Sequence, residues 1–265
     1  MQIEHASKPS VAVAIPAYNE AEGIPGFVQE IDQALQPHVG ALRLIVVDDA
    51  STDGSAEALE AIRSSLGAEL EIVVNESNLG HGPSVLIGYR CALEAGPDFV
   101  LQVDGDGQFH GSDLRRVLVL LIDQAHAVSG VRRFRQDPWF RMTMTSLLRS
   151  YVRWRFGVAA RDPNCPLRGY DAPLLSELLE ALPERCLIPN LYLTLVASRR
   201  GVALLEVDVS HRVRRGGSVR GSTWAGGGLS PVPRRLVQFS IAALREAEAF
   251  RARIPGYEVS RGPDR

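Results

Sequence analysis

The chain has 265 residues, 45% of them apolar, and a formal net charge of −2. That length buries a sizeable core, and the near-neutral balance leaves no overall electrostatic footprint for nucleic acid. Cys91, Cys165 and Cys186 are far apart and form no Cys-x-x-Cys pair, which argues against a disulfide framework or zinc site and fits a reducing, cytoplasmic setting. The start, Met1 to Pro9, has no apolar signal core, and no run of about 18 apolar residues occurs, so no membrane-spanning helix is expected.

Residues 11–18, Val-Ala-Val-Ala-Ile-Pro-Ala-Tyr, predict a buried strand. Asn19 is placed to cap a helix, with Glu20 and Glu22 at its positive end and Ile24, Phe27, Val28, Ile31 and Leu35 at helical spacing. Residues 42–47 predict a second strand that runs into Asp48-Asp49, and Ser51 to Ser55 form a cap-rich turn before a helix carrying Leu59, Ile62 and Leu66. Residues 70–74 are a third strand. Asn78 to Ser84 lead into a helix that continues to about Ala95, and 98–103 are a fourth strand.

The second half is less regular. Ser112 is placed to cap a helix with Leu114, Val117, Leu118 and Leu121 on one face. Residues 126–131 predict a strand that ends at Arg132-Arg133, and 140–157 a helix. Asp162 to Tyr170 read as a loop, held out of helix by Pro163 and Pro166. Short helices are expected at 174–182 and 191–199, and a strand at 202–209. A basic, glycine-rich stretch follows at 211–220. Residues 216–233 are a Gly/Pro-rich linker, and 234–253 an amphipathic helix.

Strands alternating with helices over short connections predict an α/β fold with a mostly parallel sheet and helices on both faces. Ligands of such sheets bind beyond the carboxyl ends of the strands. Here those ends carry Tyr18-Asn19-Glu20, Asp48-Asp49, Asn75 to Gly82 and Asp104-Gly105-Asp106. Two carboxylates spaced i, i+2 repel unless a cation lies between them, and Mg²⁺ or Mn²⁺ prefers such oxygen ligands together with phosphate. Taken alone, Asp104 to Gln108 also reads as an ordinary Asp-Gly turn.

Four segments taken together are more specific. Ala14 to Glu20, Val46 to Ser55, Asn78-Leu79-Gly80 before a helix, and Asp104-Gly105-Asp106-Gly107-Gln108 resemble the large inverting glycosyltransferase family 2 of GT-A fold. The Asp-x-Asp-x-Gln form looks like the branch of dolichol- and polyprenyl-phosphate mannosyl- and glucosyltransferases. Gly130-Val131-Arg132 with Arg135 and Asp137, Asp162 to Tyr170, and 211–218 are similar to later segments of that branch. The resemblance spans roughly residues 10–220.

The resemblance implies a Rossmann-like, doubly wound GT-A domain over 1–215, with a nucleotide-binding half at 10–108 and an acceptor half at 109–215. Residues 216–265 would then be the linker and C-terminal helix. It also implies a UDP- or GDP-sugar donor, Mg²⁺ or Mn²⁺ on the diphosphate, and inversion at the anomeric carbon. By similarity, Asp106 and Gln108 are metal ligands, with Asp104 beside them on the ribose or the metal. Pro16, Tyr18 and Glu20 would line the nucleotide, Asp48 or Asp49 would accept from the base, and Gly80 would allow close backbone approach. Arg132 is expected on phosphate, and Arg212, Arg214 and Ser218 in a loop that closes over the diphosphate. The alternative for that loop is a disordered basic connector. His81, His110 and His211 receive no role.

A hydroxyl acceptor normally needs a carboxylate base, whereas a phosphate is already anionic near pH 7. No Asp or Glu occurs between Cys186 and Leu205, and the nearest acids are Asp162, Asp171 and Glu184. This favours a phosphate acceptor, a polyprenyl phosphate in the similar branch, with Asp162 as the base should the acceptor be a hydroxyl. Many members of that branch carry transmembrane helices after the catalytic domain. Here the amphipathic stretch 234–253 stands in that place, and it can pack on the core, bind a partner or lie at the inner face of a membrane. The alternative acceptor is a soluble small molecule or glycan. The alternatives from other classes are a nucleotidyltransferase, which would more often carry an early basic phosphate loop, and a non-catalytic sugar-nucleotide binder.

Overall fold

The structure is a computed structural model that describes residues 8–123, 125–133, 139–215 and 234–251. Its first half consists of β1 (Ser10–Ala17), α1 (Ile24–Leu35), β2 (Ala41–Asp48), α2 (Ser55–Ile62), β3 (Glu69–Val74), α3 (His81–Glu94) and β4 (Phe99–Gln102). These strands lie in the order β3-β2-β1-β4, each parallel to its neighbour. The chain leaves β1 on one side and returns on the other, so the switch point falls between β1 and β4. Strand β1 is buried from Val11 to Ala17, as a strand covered on both faces must be.

The second half adds α4 (Gly111–Asp123), β5 (Ala127–Arg132), α5 (Trp139–Phe156), β6 (Arg168–Asp171), α6 (Ala172–Glu180), α7 (Pro189–Arg199), β7 (Leu205–Val209) and α8 (Arg234–Arg251). The sheet continues β4-β6-β5-β7. Strand β6 runs antiparallel to both neighbours, and β7 parallel to β5. The fold is α/β, mostly parallel and doubly wound. One core, between sheet and α1, α2 and α4, contains Phe27, Leu59 and Leu118; the other, under α3, α5, α6, α7 and α8, contains Tyr89, Val152, Leu175, Leu195 and Phe250.

Three local expectations are corrected. The end of the predicted loop 162–170 is strand β6, because Arg168 to Asp171 find pairing partners in both β4 and β5. Asn19 caps no helix: it adopts φ 54°, and its Oδ1 accepts from the Thr52 amide at 2.8 Å, while the N-cap of α1 is Gly23. Ser112 lies inside α4, whose first residue is Gly111, and the Gly111 amide donates to Glu30 Oε1 at 2.8 Å.

Helix α8 packs on the second core through Ala243, Ala247 and Phe250, with Phe250 4.5 Å from the Tyr192 ring centroid. No described helix is long and apolar enough to cross a membrane. The linker 216–233 expected from the sequence lies outside the described residues.

Candidate active site

Parallel pairing brings the carboxyl ends of β1, β2, β3 and β4 to one edge. Backbone hydrogen bonds join them: Asp49 N to Ala17 O and Asn75 N to Asp48 O, both 2.9 Å, and Gly105 N to Pro16 O, 2.9 Å. Pro16, Asp48 and the Asp104–Gln108 turn therefore meet around one notch.

Asp48 and Asp49 are both buried. Asp48 Oδ1 accepts from the Ser51 amide at 2.9 Å. Asp49 is used by the following loop: Oδ1 accepts from Asn75 Nδ2 and Leu79 N, and Oδ2 from Gly80 N, all at 2.8 Å. Both Asp49 oxygens thus shape the Asn78-Leu79-Gly80 turn, where Gly80 has φ 91°. Of the pair expected to face a nucleotide base, Asp49 is the one that holds this turn. Glu20 is buried, and Tyr18 is half-buried beside it.

On β4, Gln102 is fully buried at the end of an otherwise apolar strand. Its Nε2 donates to Asp104 Oδ1 at 3.0 Å, and its Oε1 accepts from Asn190 Nδ2 at 2.9 Å. Asn190 Oδ1 in turn accepts from the Tyr89 hydroxyl at 3.1 Å. Burial pushes the Tyr89 phenol well up, so it stays a neutral donor. Three side chains from α3, α7 and β4 thereby orient one oxygen of Asp104. His81 Nε2 lies 3.7 Å from that oxygen. Asp106 Oδ1 accepts from Gln108 N at 3.1 Å, which closes a tight turn, and both Asp104 and Asp106 are half-buried.

Residues 211–215 lie directly against this turn. Arg212 N donates to Gln108 O at 2.9 Å and Arg215 N to Asp106 O at 3.1 Å; Arg212 Nε donates to Gly107 O at 2.6 Å. Gly107 has φ 68°, which favours glycine, and a Cβ there would approach the Arg215 side chain to 3.1 Å, so that side chain would have to shift. Gln108 Nε2 donates to Arg212 O at 3.3 Å, which leaves Oε1 as the end of that amide suited to a cation. The arginines have carboxylate partners. Arg212 pairs with Glu30 at 2.9 Å, Arg215 with Glu30, and Arg214 with Glu20. Burial works against the Glu30 anion, but the Arg212 hydrogen bond, the Gly111 amide and the charges of Arg212 and Arg215 outweigh it and hold its carboxyl below the usual range. Ser218, Arg135 and Asp137 lie outside the described residues.

Arg132, at the end of β5, forms a two-pronged pair with the buried Asp162: Nε to Oδ2 at 2.7 Å and Nη2 to Oδ1 at 2.9 Å. The loop that presents Asp162 is held from within by Arg168, a residue sequence reasoning left unassigned. Arg168 is fully buried and donates to Pro163 O at 2.7 Å, Cys165 O at 2.8 Å and Thr194 Oγ1 at 2.8 Å. Thr194 Oγ1 lies 2.9 Å from Asn190 O, one turn back on α7. Helix α7 therefore carries both supports, Asn190 toward Asp104 and Thr194 toward Asp162. A groove of about 1440 Å³ runs along the β5–β7 side; Ser129, Asp162, Pro163 and Thr194 line it, but no residue of the Asp104–Gln108 turn does.

A doubly wound sheet with carboxylates at its switch point fits a GT-A-type glycosyltransferase. Residues 12–176 match the family described as Glycosyl transferase family 2, and the chain belongs to it. Among curated relatives it is 28% identical over 207 residues to an undecaprenyl-phosphate 4-deoxy-4-formamido-L-arabinose transferase of Aeromonas hydrophila, covering 78% of this chain and 61% of the relative. It is 29% identical over 208 residues to the protein of that name from Proteus mirabilis, with the same coverages. The chain thus spans about three fifths of these relatives' length. Among solved structures it resembles glucosyl-3-phosphoglycerate synthase from Mycobacterium tuberculosis, in complex with Mn²⁺, UDP and phosphoglyceric acid. That match has a TM-score of 0.65 at 19% identity and covers 91% of this chain and 78% of that one.

Proposed function

We propose that this chain moves a sugar from a nucleoside-diphosphate sugar, UDP- or GDP-linked, to a phosphate acceptor, and that the acceptor is a polyprenyl phosphate. One observation carries the acceptor class. Asp162, the best-placed base for a hydroxyl acceptor, is buried and bound at both oxygens by Arg132. Two-pronged guanidinium binding commits both carboxylate oxygens to Arg132. A phosphate nucleophile needs no base. The curated relatives, named as undecaprenyl-phosphate transferases, support the same choice.

The donor half follows from the strand ends. Pro16, Tyr18, Glu20 and Asp48 border the notch for the nucleoside, and the Gly80 turn borders its other side. Asp104, Asp106 and Gln108 would hold a divalent cation, Mg²⁺ or Mn²⁺. The donor set fits: the two carboxylates and the Gln108 carbonyl oxygen offer oxygen ligands. Such a set suits a hard cation that takes its other ligands from diphosphate and water. When bound, the cation offsets charge on the departing nucleoside diphosphate. Arg132 would draw the acceptor phosphate to the other side of the sugar, and Arg212 and Arg214 border the diphosphate, each kept in place by a carboxylate. Ser218 would extend that border, and residues 109–215 would form the acceptor half of a domain over 1–215.

The test pairs labelled UDP- and GDP-sugars with undecaprenyl phosphate and with soluble hydroxyl acceptors, and follows label into organic solvent. Label in the organic phase that is lost in Asp106→Ala, together with a change under tenfold in Asp162→Asn, is the expected result. Water-soluble product, with Asp162→Asn slowing turnover by a hundredfold or more, would establish the hydroxyl reading instead, on the usual scale of a lost general base, about 10²–10⁴. Donor binding without transfer to any acceptor would point to a sugar-nucleotide binder, and pyrophosphate release to a nucleotidyltransferase.

A further inference from the structure

Helix α5 departs from the strand that ends in Arg132 and returns into the loop that holds Asp162. Its composition is unusual for a surface helix. It contains Arg141, Arg149, Arg153 and Arg155 and no Asp or Glu. Its outer side carries Trp154 at 80% exposure and Leu147 at 64%, with Arg149 and Arg153 exposed as well. A solvated helix normally carries both charge signs and keeps its indole covered.

Helix α8 continues this surface. Tyr151 Oη donates to Glu248 at 2.5 Å, and Arg155 donates to both Glu248 oxygens at 2.8 Å. Leu147 and Trp154 lie four before and three after Tyr151. Leu244 and Ile241 lie four and seven before Glu248. Residues at these spacings share a stripe, so the exposed apolar side chains of both helices flank the one seam where the helices meet. Ile241 and Leu244 are 45% and 42% exposed, and Arg245 is exposed beside them. The two acids of α8 are engaged within the protein. Glu248 is held by α5, and Glu246 accepts from Leu187 N and the Tyr192 hydroxyl, both at 2.8 Å. The large exposed side chains of the described part of both helices are Trp154, Leu147, Ile241 and Leu244 with Arg149, Arg153 and Arg245, and small or neutral residues such as Ser150 and Gln238 lie between them.

We propose that the α5–α8 seam is the surface by which this protein docks on a bilayer rich in anionic phospholipid. The charge sign selects the occupant: Arg149, Arg153 and Arg245 are exposed while the two acids of α8 are engaged in hydrogen bonds, and a basic face of this kind complements a lipid surface of negative potential. The side-chain classes agree, because indole and aliphatic groups insert at the headgroup boundary while arginine stems reach the phosphates. The assignment rests on the lipid-acceptor reading, and it explains how a chain whose described helices are too short or too polar to span a membrane reaches such an acceptor. Docking there also places the membrane on the helix whose two ends lead to Arg132 and Asp162.

The experiment is vesicle flotation of the full chain with phosphatidylcholine alone and with added phosphatidylglycerol. Wild type is expected to float with the anionic vesicles and to stay behind with the neutral ones. Trp154→Glu/Leu244→Glu, and separately Arg149→Glu/Arg153→Glu, are expected to lower the bound fraction by about tenfold or more. These positions are exposed, and unchanged melting temperature and UDP–Mn²⁺ binding would verify folding. Asp106→Ala should float like wild type. Equal binding to both vesicle types, or no effect of either double variant, would overturn the proposal. So would sedimentation showing that the same variants dissolve an oligomer, which would make the seam a contact between copies. Floating that fails while undecaprenyl phosphate is glycosylated in detergent defeats the surface alone. Floating without any lipid-linked product defeats the acceptor reading alone.

Discussion

The two halves of the sheet hold their functional side chains by different means. In the β1–β4 half, carboxylates and amides take mostly backbone N–H groups: Asp48 from Ser51, Asp49 from Leu79 and Gly80, Asn19 from Thr52, Asp106 from Gln108, with the side-chain amides of Asn75 on Asp49 and Gln102 on Asp104 beside them. In the β5–β7 half, arginine side chains do the gripping: Arg132 on Asp162, Arg168 on Thr194 and on the carbonyls of Pro163 and Cys165, Arg212 on Glu30. Any residue but proline supplies a backbone N–H, so the first kind of support tolerates change in its partners. The second depends on a particular side chain, the arginine, at the donor end. Substitutions should therefore act through the carboxylate itself in the first half and through its supports in the second.

The largest effect is expected at Asp106. Asp106→Ala should lower turnover by about a thousandfold, in the range seen when a preorganised charge-stabilising group is lost. Calorimetry should show UDP bound with similar affinity with and without Mn²⁺. Unimpaired Mn²⁺-dependent binding in that variant would remove Asp106 from the metal set.

The same difference decides what was legible in the sequence. The first four strands and their polar ends read correctly to within a residue or two, because each signal is local: an apolar run, then a carboxylate, then a turn. Strand β6 did not, because Arg168 to Asp171 is a short segment after two prolines and becomes a strand only through β4 and β5. Arg168 lies within the segment read as a loop, yet in the strand Arg168 and Tyr170 share one buried face. Gln102, a lone amide in an apolar strand, and Asn190 and Thr194, spaced i, i+4 in an apolar helix, were visible signals of a buried network. Their targets were not, since nothing local says which buried amides meet. The engagement of Arg212 and Arg214 by Glu30 and Glu20 was equally hidden, the partners lying most of the chain apart.

Arg168 should give the largest change in stability. Arg168→Met keeps the aliphatic stem but strips donors from Pro163 O, Cys165 O and Thr194. Stranding buried acceptors costs about 1–3 kcal/mol each, so a loss of about 3 kcal/mol or more is expected in urea unfolding. UDP–Mn²⁺ affinity should change little, because the first-half supports are untouched. A full loss of donor binding without loss of stability would contradict the separation of the halves.

Asn190 is where the two kinds of support touch. Asn190→Ala removes the partner that sets the Gln102 amide, which in turn orients Asp104. Outer partners of a metal ligand typically contribute about 10–100-fold to affinity. A fall of about tenfold in Mn²⁺ affinity, measured by titration with UDP present, is expected in Asn190→Ala, with partial recovery in Asn190→Gln. If only melting temperature moves, the network is structural and Asp104 is positioned by its own turn.

The smallest effect should be a pH effect at Glu30, which anchors residues 211–215 to α1 through Arg212 and Arg215. The folded carboxyl lies below its ordinary value of 4.5. A depressed folded pKa contributes stability that is complete above the unfolded pKa and is lost as pH falls through the folded one. Wild type should therefore lose this increment only on acidification below about pH 4.5, whereas Glu30→Gln should lack it at neutral pH and show a flatter acid limb. Because the group is partly exposed, solvent screening keeps the difference to about 1 kcal/mol or less. Urea midpoints at pH 7 and pH 4 for both proteins measure it, and parallel acid limbs would mean that backbone contacts to Asp106 and Gln108, and not this ion pair, hold the 211–215 segment in place.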